Sequence, residues 1–232
     1  SGIILTGCGS LQFLKFGSNT QRNIPDGIVK EYYKDGKIKS EYIYKNNKRE
    51  GLGKMYYEDG SLANECNYHN GKEEGLQKYY FSDGKLSLVG NYSDGKEEGS
   101  HKIYYNDGNI CIDNYYKGGK LEGLNKWYFN NGRLMMEWNY NNGEADGFYK
   151  VYYENGKLKA EGNYEDGKPK GLCNVYHENG RLKAENRHSS GKQDGAYKVY
   201  CENGQLQQEC NYDAGERDGL YKVYFENGIL QQ

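Results

Sequence analysis

Glycine recurs every 24 residues along this chain, at Gly27, Gly51, Gly75, Gly99, Gly123, Gly147, Gly171, Gly195 and Gly219, without a slip. Nine residues after each comes a second glycine, from Gly36 and Gly60 through Gly156 to Gly228. A tyrosine stands five residues after every opening glycine, among them Tyr56 and Tyr152, and Leu or Ile stands eleven after it. Such a register means a tandem array, in which each copy is one supersecondary element that shares its buried surface with its neighbours.

Each copy reads as a pair of strands. In Gly147-Phe-Tyr-Lys-Val-Tyr-Tyr-Glu-Asn-Gly-Lys-Leu, a run of aromatic and β-branched residues reaches Asn155-Gly156, and a second run ends at Tyr164 before Asp166-Gly167. Asn-Gly and Asp-Gly favour two-residue type I′ hairpin turns, because both central residues need positive φ. Turns of that length at both corners predict an antiparallel meander of roughly 17 strands, and roughly 80 Å of ribbon at about 4.8 Å per strand. Alternation then places Leu172, Lys198, the tyrosine row, Glu161 and Glu185 on one face, with Lys150 opposite Glu161 and Lys54 opposite Glu65. Val151, Tyr153, Leu158, Ala160 and Tyr164 take the other, more apolar face. A three-residue turn with a bulge would shift this register by one and swap the partners. The opening glycine falls within a strand, where a bend or the close approach of a ring calls for it.

Composition agrees with an unusual core. Only 35% of the 232 residues are hydrophobic, yet there are 26 Tyr and 33 Gly against 2 Pro. Tyrosine forms strands and tolerates a half-wet position, with its ring packed and its hydroxyl in water. A net charge of −2 gives no general nucleic-acid footprint. No stretch approaches the ~20 apolar residues of a membrane-spanning helix. The expected architecture is an all-β, elongated, single-layer antiparallel meander of tandem hairpins over residues 27–232, preceded by a distinct segment, 1–26. A single layer hides its apolar face only by curling, self-association or binding something.

Copies such as Gly147-x-Tyr-Lys-Val-Tyr-Tyr-Glu-Asn-Gly-Lys-Leu-Lys-x-Glu-Gly-Asn-Tyr-Glu-Asp-Gly-Lys resemble the bacterial variant of the MORN repeat, a variant also seen in proteins labelled YwqK-family antitoxins. The resemblance covers residues 27–232. It implies an elongated sheet of hairpins that serves as a scaffold or binding surface. No cofactor is expected.

Residues 1–26 break the register. Ile3-Ile4-Leu5-Thr6-Gly7-Cys8 resembles the end of a bacterial lipoprotein signal, with Cys8 as the lipid attachment and the following polar stretch as a tether to the cell envelope. Alternatively, Ile3, Ile4, Leu5, Leu11, Phe13, Leu14 and Phe16 form a strand that caps the first repeat.

No residue is singled out for catalysis. The six cysteines follow no metal-like spacing, and free thiols packed as small hydrophobes are the expectation, with a Cys201–Cys210 pair possible in another register. His69, His101, His177 and His188 stand at different phases of the repeat, so no metal site is expected. The informative departures cluster in one copy, where Trp127, Phe129, Met136, Trp138 and Tyr140 form either an interaction patch or extra core. Three functions compete: a non-enzymatic scaffold that binds a protein partner or itself, with an envelope anchor at Cys8; a carbohydrate or cell-wall binder using stacked rings; and a cytoplasmic antitoxin-like protein masking a toxin.

Overall fold

The computed structural model describes residues 23–231. The Cys8 motif and its alternative strand lie outside the described residues. The chain divides in sequence between Ile112 and Asp113 into two compact units. In both, every strand pairs antiparallel with its neighbours in sequence, and no helix occurs among the described residues. Among the described residues there are 21 strand segments, but four strands are interrupted once, just before Gly51, Gly75, Gly123 and Gly195, so the described residues form 17 strands.

The two corners of each repeat differ, which corrects the expectation of type I′ turns at both. Between repeats, Asp166 and Gly167 have φ of 48° and 73°, as type I′ requires, and Glu165 pairs with Lys168. Within a repeat, Asn155 is not in the left-handed region. Instead the Gly156 N–H donates to the Tyr153 carbonyl at 2.8 Å, the Tyr153 N–H donates to the Lys157 carbonyl at 2.8 Å, and Gly156 alone has positive φ, 87°. That is a three-residue loop ending in a glycine bulge. The Asn155 side chain explains its own presence: its Oδ1 accepts from the Lys157 N–H at 2.9 Å. Asp59 does the same for Ser61 and Asn179 for Arg181, both at 2.8 Å. Asn and Asp are thus selected at this corner as local acceptors rather than for left-handed backbone.

A three-residue loop alone would have swapped the cross-strand partners. A second bulge, between Val151 and Tyr152 opposite Ala160 and Leu158, takes up the extra residue and restores Lys150 opposite Glu161. The same shift occurs at Met55–Tyr56, with Lys54 opposite Glu65. The opening glycine is a third irregularity: Gly147 has φ of 105°, and the strand carries extra residues where its pairing passes from Trp138–Tyr149 to Tyr140–Ala145. This shift is even, so the side-chain alternation survives it. The predicted two faces follow as far as Val151 opposite Ala160; beyond the bulge Leu158 pairs with Tyr152 of the tyrosine row, which corrects its expected place among the other face's residues.

Candidate interaction surface

One face, the ladder face, is built from a lysine three residues after the opening glycine, the tyrosine at five, and a glutamate at fourteen. In the C-terminal unit the Tyr152 hydroxyl donates to Glu137 at 3.1 Å, Tyr176 to Glu161 at 2.7 Å, Tyr200 to Glu185 at 3.0 Å and Tyr224 to Glu209 at 2.7 Å. Tyr56 and Tyr80 do so in the N-terminal unit with Glu41 and Glu65, each at 3.0 Å. Each bond reaches back to the preceding repeat, so the tyrosine stitches neighbouring hairpins. Burial, and then its carboxylate partner, raise the Tyr152 phenol to about 12. Lysines close the ladder, as with Lys54–Glu65 at 3.5 Å and Lys222–Glu209 at 3.0 Å. These pairs are partly solvated and contribute about 0–1 kcal/mol each.

Beside this ladder runs a row one residue after the opening glycine. In the C-terminal unit Leu124 is 40% exposed, Phe148 42% and Leu172 49%. Ile28, Leu52 and Leu76 occupy the same positions in the N-terminal unit and are likewise exposed. Asparagines stand opposite, Asn139 to Leu124 and Asn163 to Phe148.

The other face, the aromatic face, holds the departures from the repeat. Trp127 lies opposite Met136, Asn125 opposite Trp138, and Gly123 opposite Tyr140. Phe129 closes the three-residue loop of that hairpin through its N–H to the Arg133 carbonyl, 2.8 Å. The structure therefore brings the proposed patch together on one hairpin. Its rings are occupied by one another: Trp138 stacks on Tyr149 at 4.5 Å and leans on Tyr164 at 5.1 Å, while Trp127 meets Tyr140 at 6.4 Å. Met136 is buried and the rest are half-buried. Tyr149 is as much a part of this cluster as the two tryptophans.

Trp138 and Tyr149 belong to a row running two residues after the opening glycine and fifteen after it, and the row is filled in part by complementary size. Gly53 lies under the Tyr42 ring, where an added Cβ would come within 2.3 Å of Cδ1; Gly90 lies under His101, and Gly162 between Tyr149 and Cys173. At two other places in the row a buried amide serves the backbone. Gln77, 0% exposed, donates from Nε2 to the Asn67 carbonyl at 3.0 Å. Asn125, also 0% exposed, accepts from the Tyr115 N–H at 2.8 Å and donates to the Gly123 carbonyl at 2.9 Å. The sequence signal was the alternation of large and small residues at these two offsets.

Cys66, Cys173, Cys201 and Cys210 carry free thiols, as expected. Cys111 is disulfide-bonded and departs from that expectation. Burial pushes the Cys66 thiol up to about 11 and raises Cys173 as well, which lowers their nucleophilicity at neutral pH. No group of three potential metal ligands converges among the described residues, and no helix there is long and apolar enough to cross a membrane.

Comparison with known proteins bears on the array itself. Among solved structures, a chain of "Crystal Structure of TcdB2-TccC3-Cdc42" matches at 11% identity over 86% of this chain, with a TM-score of 0.19; the match spans 14% of that chain's length. No curated protein matches. The MORN repeat variant matches seven segments, 25–46, 49–70, 73–94, 121–142, 145–166, 193–214 and 217–232. Those segments make up more than half of the chain, with the hairpins and 24-residue spacing described above. The chain belongs to the MORN repeat variant family.

Proposed function

We propose that the array is a non-enzymatic scaffold that binds a protein partner through the ladder face. The observation that carries this reading is the exposure of large apolar side chains in three successive repeats, Leu124 and Phe148 opposite asparagines and Leu172 opposite Arg187. Apolar side chains in a row with a polar border favour a protein surface, because contact area grows with every repeat engaged. The aromatic face supports carbohydrate binding less well, since the Trp138 ring is stacked on Tyr149 instead of offering both faces to a sugar. The envelope address belongs to the same proposal and rests on Leu5-Thr6-Gly7-Cys8 alone.

The test is photocross-linking in the producing cells from probes placed at Leu124, Phe148 or Leu172, with Glu154 in a turn as control. A discrete protein adduct from the row and none from the turn supports the reading, and an adduct with a second copy assigns self-association. Equal labelling from the turn, or no adduct from any row position, contradicts it. Intact mass of the same protein reads the anchor: a chain beginning at acylated Cys8 supports the envelope address, and an unmodified chain retaining the residues before it removes that address.

A further inference from the structure

The residue before the opening glycine is acidic in every repeat but one. Asp26, Glu50, Glu74, Glu98, Glu122, Asp146, Asp194 and Asp218 hold the position, and Lys170 breaks the series. The acid has a structural task. Glu50 Oε2 accepts from the Asn70 N–H at 2.9 Å, Glu74 from Asp94 at 2.9 Å, Glu122 from Asn142 at 2.9 Å, and Asp26 from Asn46 at 2.8 Å. In each case the donor is the first left-handed residue of the next inter-repeat turn. The equivalent donor in the repeat opened by Gly171 is the Ser190 N–H, with Ser190 at φ of 49°. Lys170 cannot accept from it, and its ammonium is paired with Glu165 instead.

Two further departures meet at the same place. Arg187 stands where most repeats have asparagine, as at Asn67, Asn91, Asn139, Asn163 and Asn211. His188 stands where the other repeats have tyrosine, and its Nδ1 is buried without a hydrogen-bond partner. Around them the chain leaves a cavity of about 760 Å³, lined by Lys168, Lys170, Arg187 and Ser190, and also by Glu165, Asp166 and Asp194. The segment 169–190 is also one that the family match passes over. With Glu165 held by Lys170, the remaining charges are two cations, Lys168 and Arg187, and two carboxylates, Asp166 and Asp194. Ser190 therefore lines a hollow of mixed charge, and the residue that would supply its turn amide with a carboxylate is Lys170.

We propose that this hollow is a carboxylate-binding site, filled by an acidic side chain of a protein partner that takes the place Asp26, Glu50, Glu74 and Glu122 hold in their own repeats. The entering carboxylate accepts from the Ser190 N–H and pairs with Arg187, a charge-assisted arrangement stronger than a neutral hydrogen bond. Asp166 and Asp194 favour a ligand whose acidic residue is followed by a basic one over a run of acids. The site rests on the preceding reading only in taking a protein as its occupant. The two are separable, because Phe148→Ser removes part of the apolar row and leaves the hollow intact.

The probe is the peptide acetyl-Gly-Glu-Lys-amide, with its Gln analogue as control, titrated into the full chain while the Ser190 and Gly191 amide resonances are followed by NMR. The expected result is a saturable shift of Ser190 with the Glu peptide and at least a ten-fold weaker response to the Gln peptide. Lys170→Glu restores the internal acceptor: it moves the Ser190 resonance before any ligand is added, and it abolishes the titration. Arg187→Asn weakens the peptide several-fold without moving the resonance of the free protein as far. Equal responses to the two peptides overturn the proposal, as does a titration that persists in Lys170→Glu. A response to inorganic phosphate without one to the Glu peptide overturns the protein occupant in favour of another anion.

Discussion

The two faces of the sheet keep their residues for different physical reasons. On the ladder face the repeated side chains vary little, because the hydroxyls of Tyr56, Tyr80, Tyr152, Tyr176, Tyr200 and Tyr224 each meet one carboxylate oxygen at about hydrogen-bond distance in the preceding repeat, as Tyr176 meets Glu161 at 2.7 Å; Val89 is the departure from the acidic position. On the aromatic face the row through Gly53, Gln77, His101, Asn125, Tyr149 and Cys173 changes identity at every step. What is preserved there is summed volume across strands: Tyr42 covers Gly53 and His101 covers Gly90. Sameness in a repeat protein thus marks directional bonds, and variation marks packing in which one partner compensates for another.

The largest effect expected from breaking this division is on the aromatic face. Gly162→Val places a branched side chain where Cys173 Sγ already lies 2.7 Å and Tyr149 Cε1 2.8 Å from the position of a Cβ. It should cost about 3 kcal/mol, read as a lowered urea midpoint. Asn125→Ala comes next, at about 2 kcal/mol, because it strands the Gly123 carbonyl and the Tyr115 N–H in a site closed to water. Tyr152→Phe on the ladder face removes one half-solvated hydrogen bond to Glu137 and should cost about 1 kcal/mol. Phe148→Ser should change stability by less than about 0.5 kcal/mol while removing the cross-linked adduct expected from its row.

Acid titration sharpens the comparison. Burial lowers the pKa of His101, with Glu97 opposing the shift, and burial also lowers that of His188. Both rings are neutral in the fold and ordinary in the unfolded chain, at about 6.5. Below that value the unfolded chain takes up protons the fold refuses, so this contribution is complete above about pH 6.5 and declines as pH falls toward the lowered folded values. Glu41 and Glu209 are lowered by their Lys and Tyr partners, Glu41 first by Lys30 and Glu209 first by Tyr224. Their stabilisation fades only at lower pH, through the carboxylate range. Chemical denaturation across pH 4 to 8 should show a histidine step that is reduced in His101→Asn and unchanged in Tyr152→Phe.

Strand number, the partners Lys150–Glu161 and the division of faces were legible from glycine spacing and alternation. The turn within each repeat was misread because Asn-Gly serves two loop geometries: Asn155 is wanted for its Oδ1, whereas Asn142 and Asn70 in the inter-repeat turns are wanted for left-handed φ. The register survived because the bulge at Val151–Tyr152 cancels the longer loop, a compensation that leaves no separate mark in the sequence. The tryptophan hairpin was visible as a departure, but stacking on Tyr149 needed the cross-strand partner to be known. Lys170 was equally visible as a break in a periodic acid, and its meaning needed the hydrogen bond that Glu50 makes.

The claim that variable positions are held by mutual volume is tested most directly by a double-mutant cycle on Gly90 and His101 in the intact chain. A Cβ on Gly90 would lie 1.5 Å from His101 Cδ2, inside any permissible contact. Gly90→Ala should therefore lower the urea-derived stability by about 2 kcal/mol with His101 present and by less than about 0.5 kcal/mol beside His101→Gly. Equal losses in the two backgrounds would contradict the account, because glycine would then be kept at this position for its backbone and not for the ring above it.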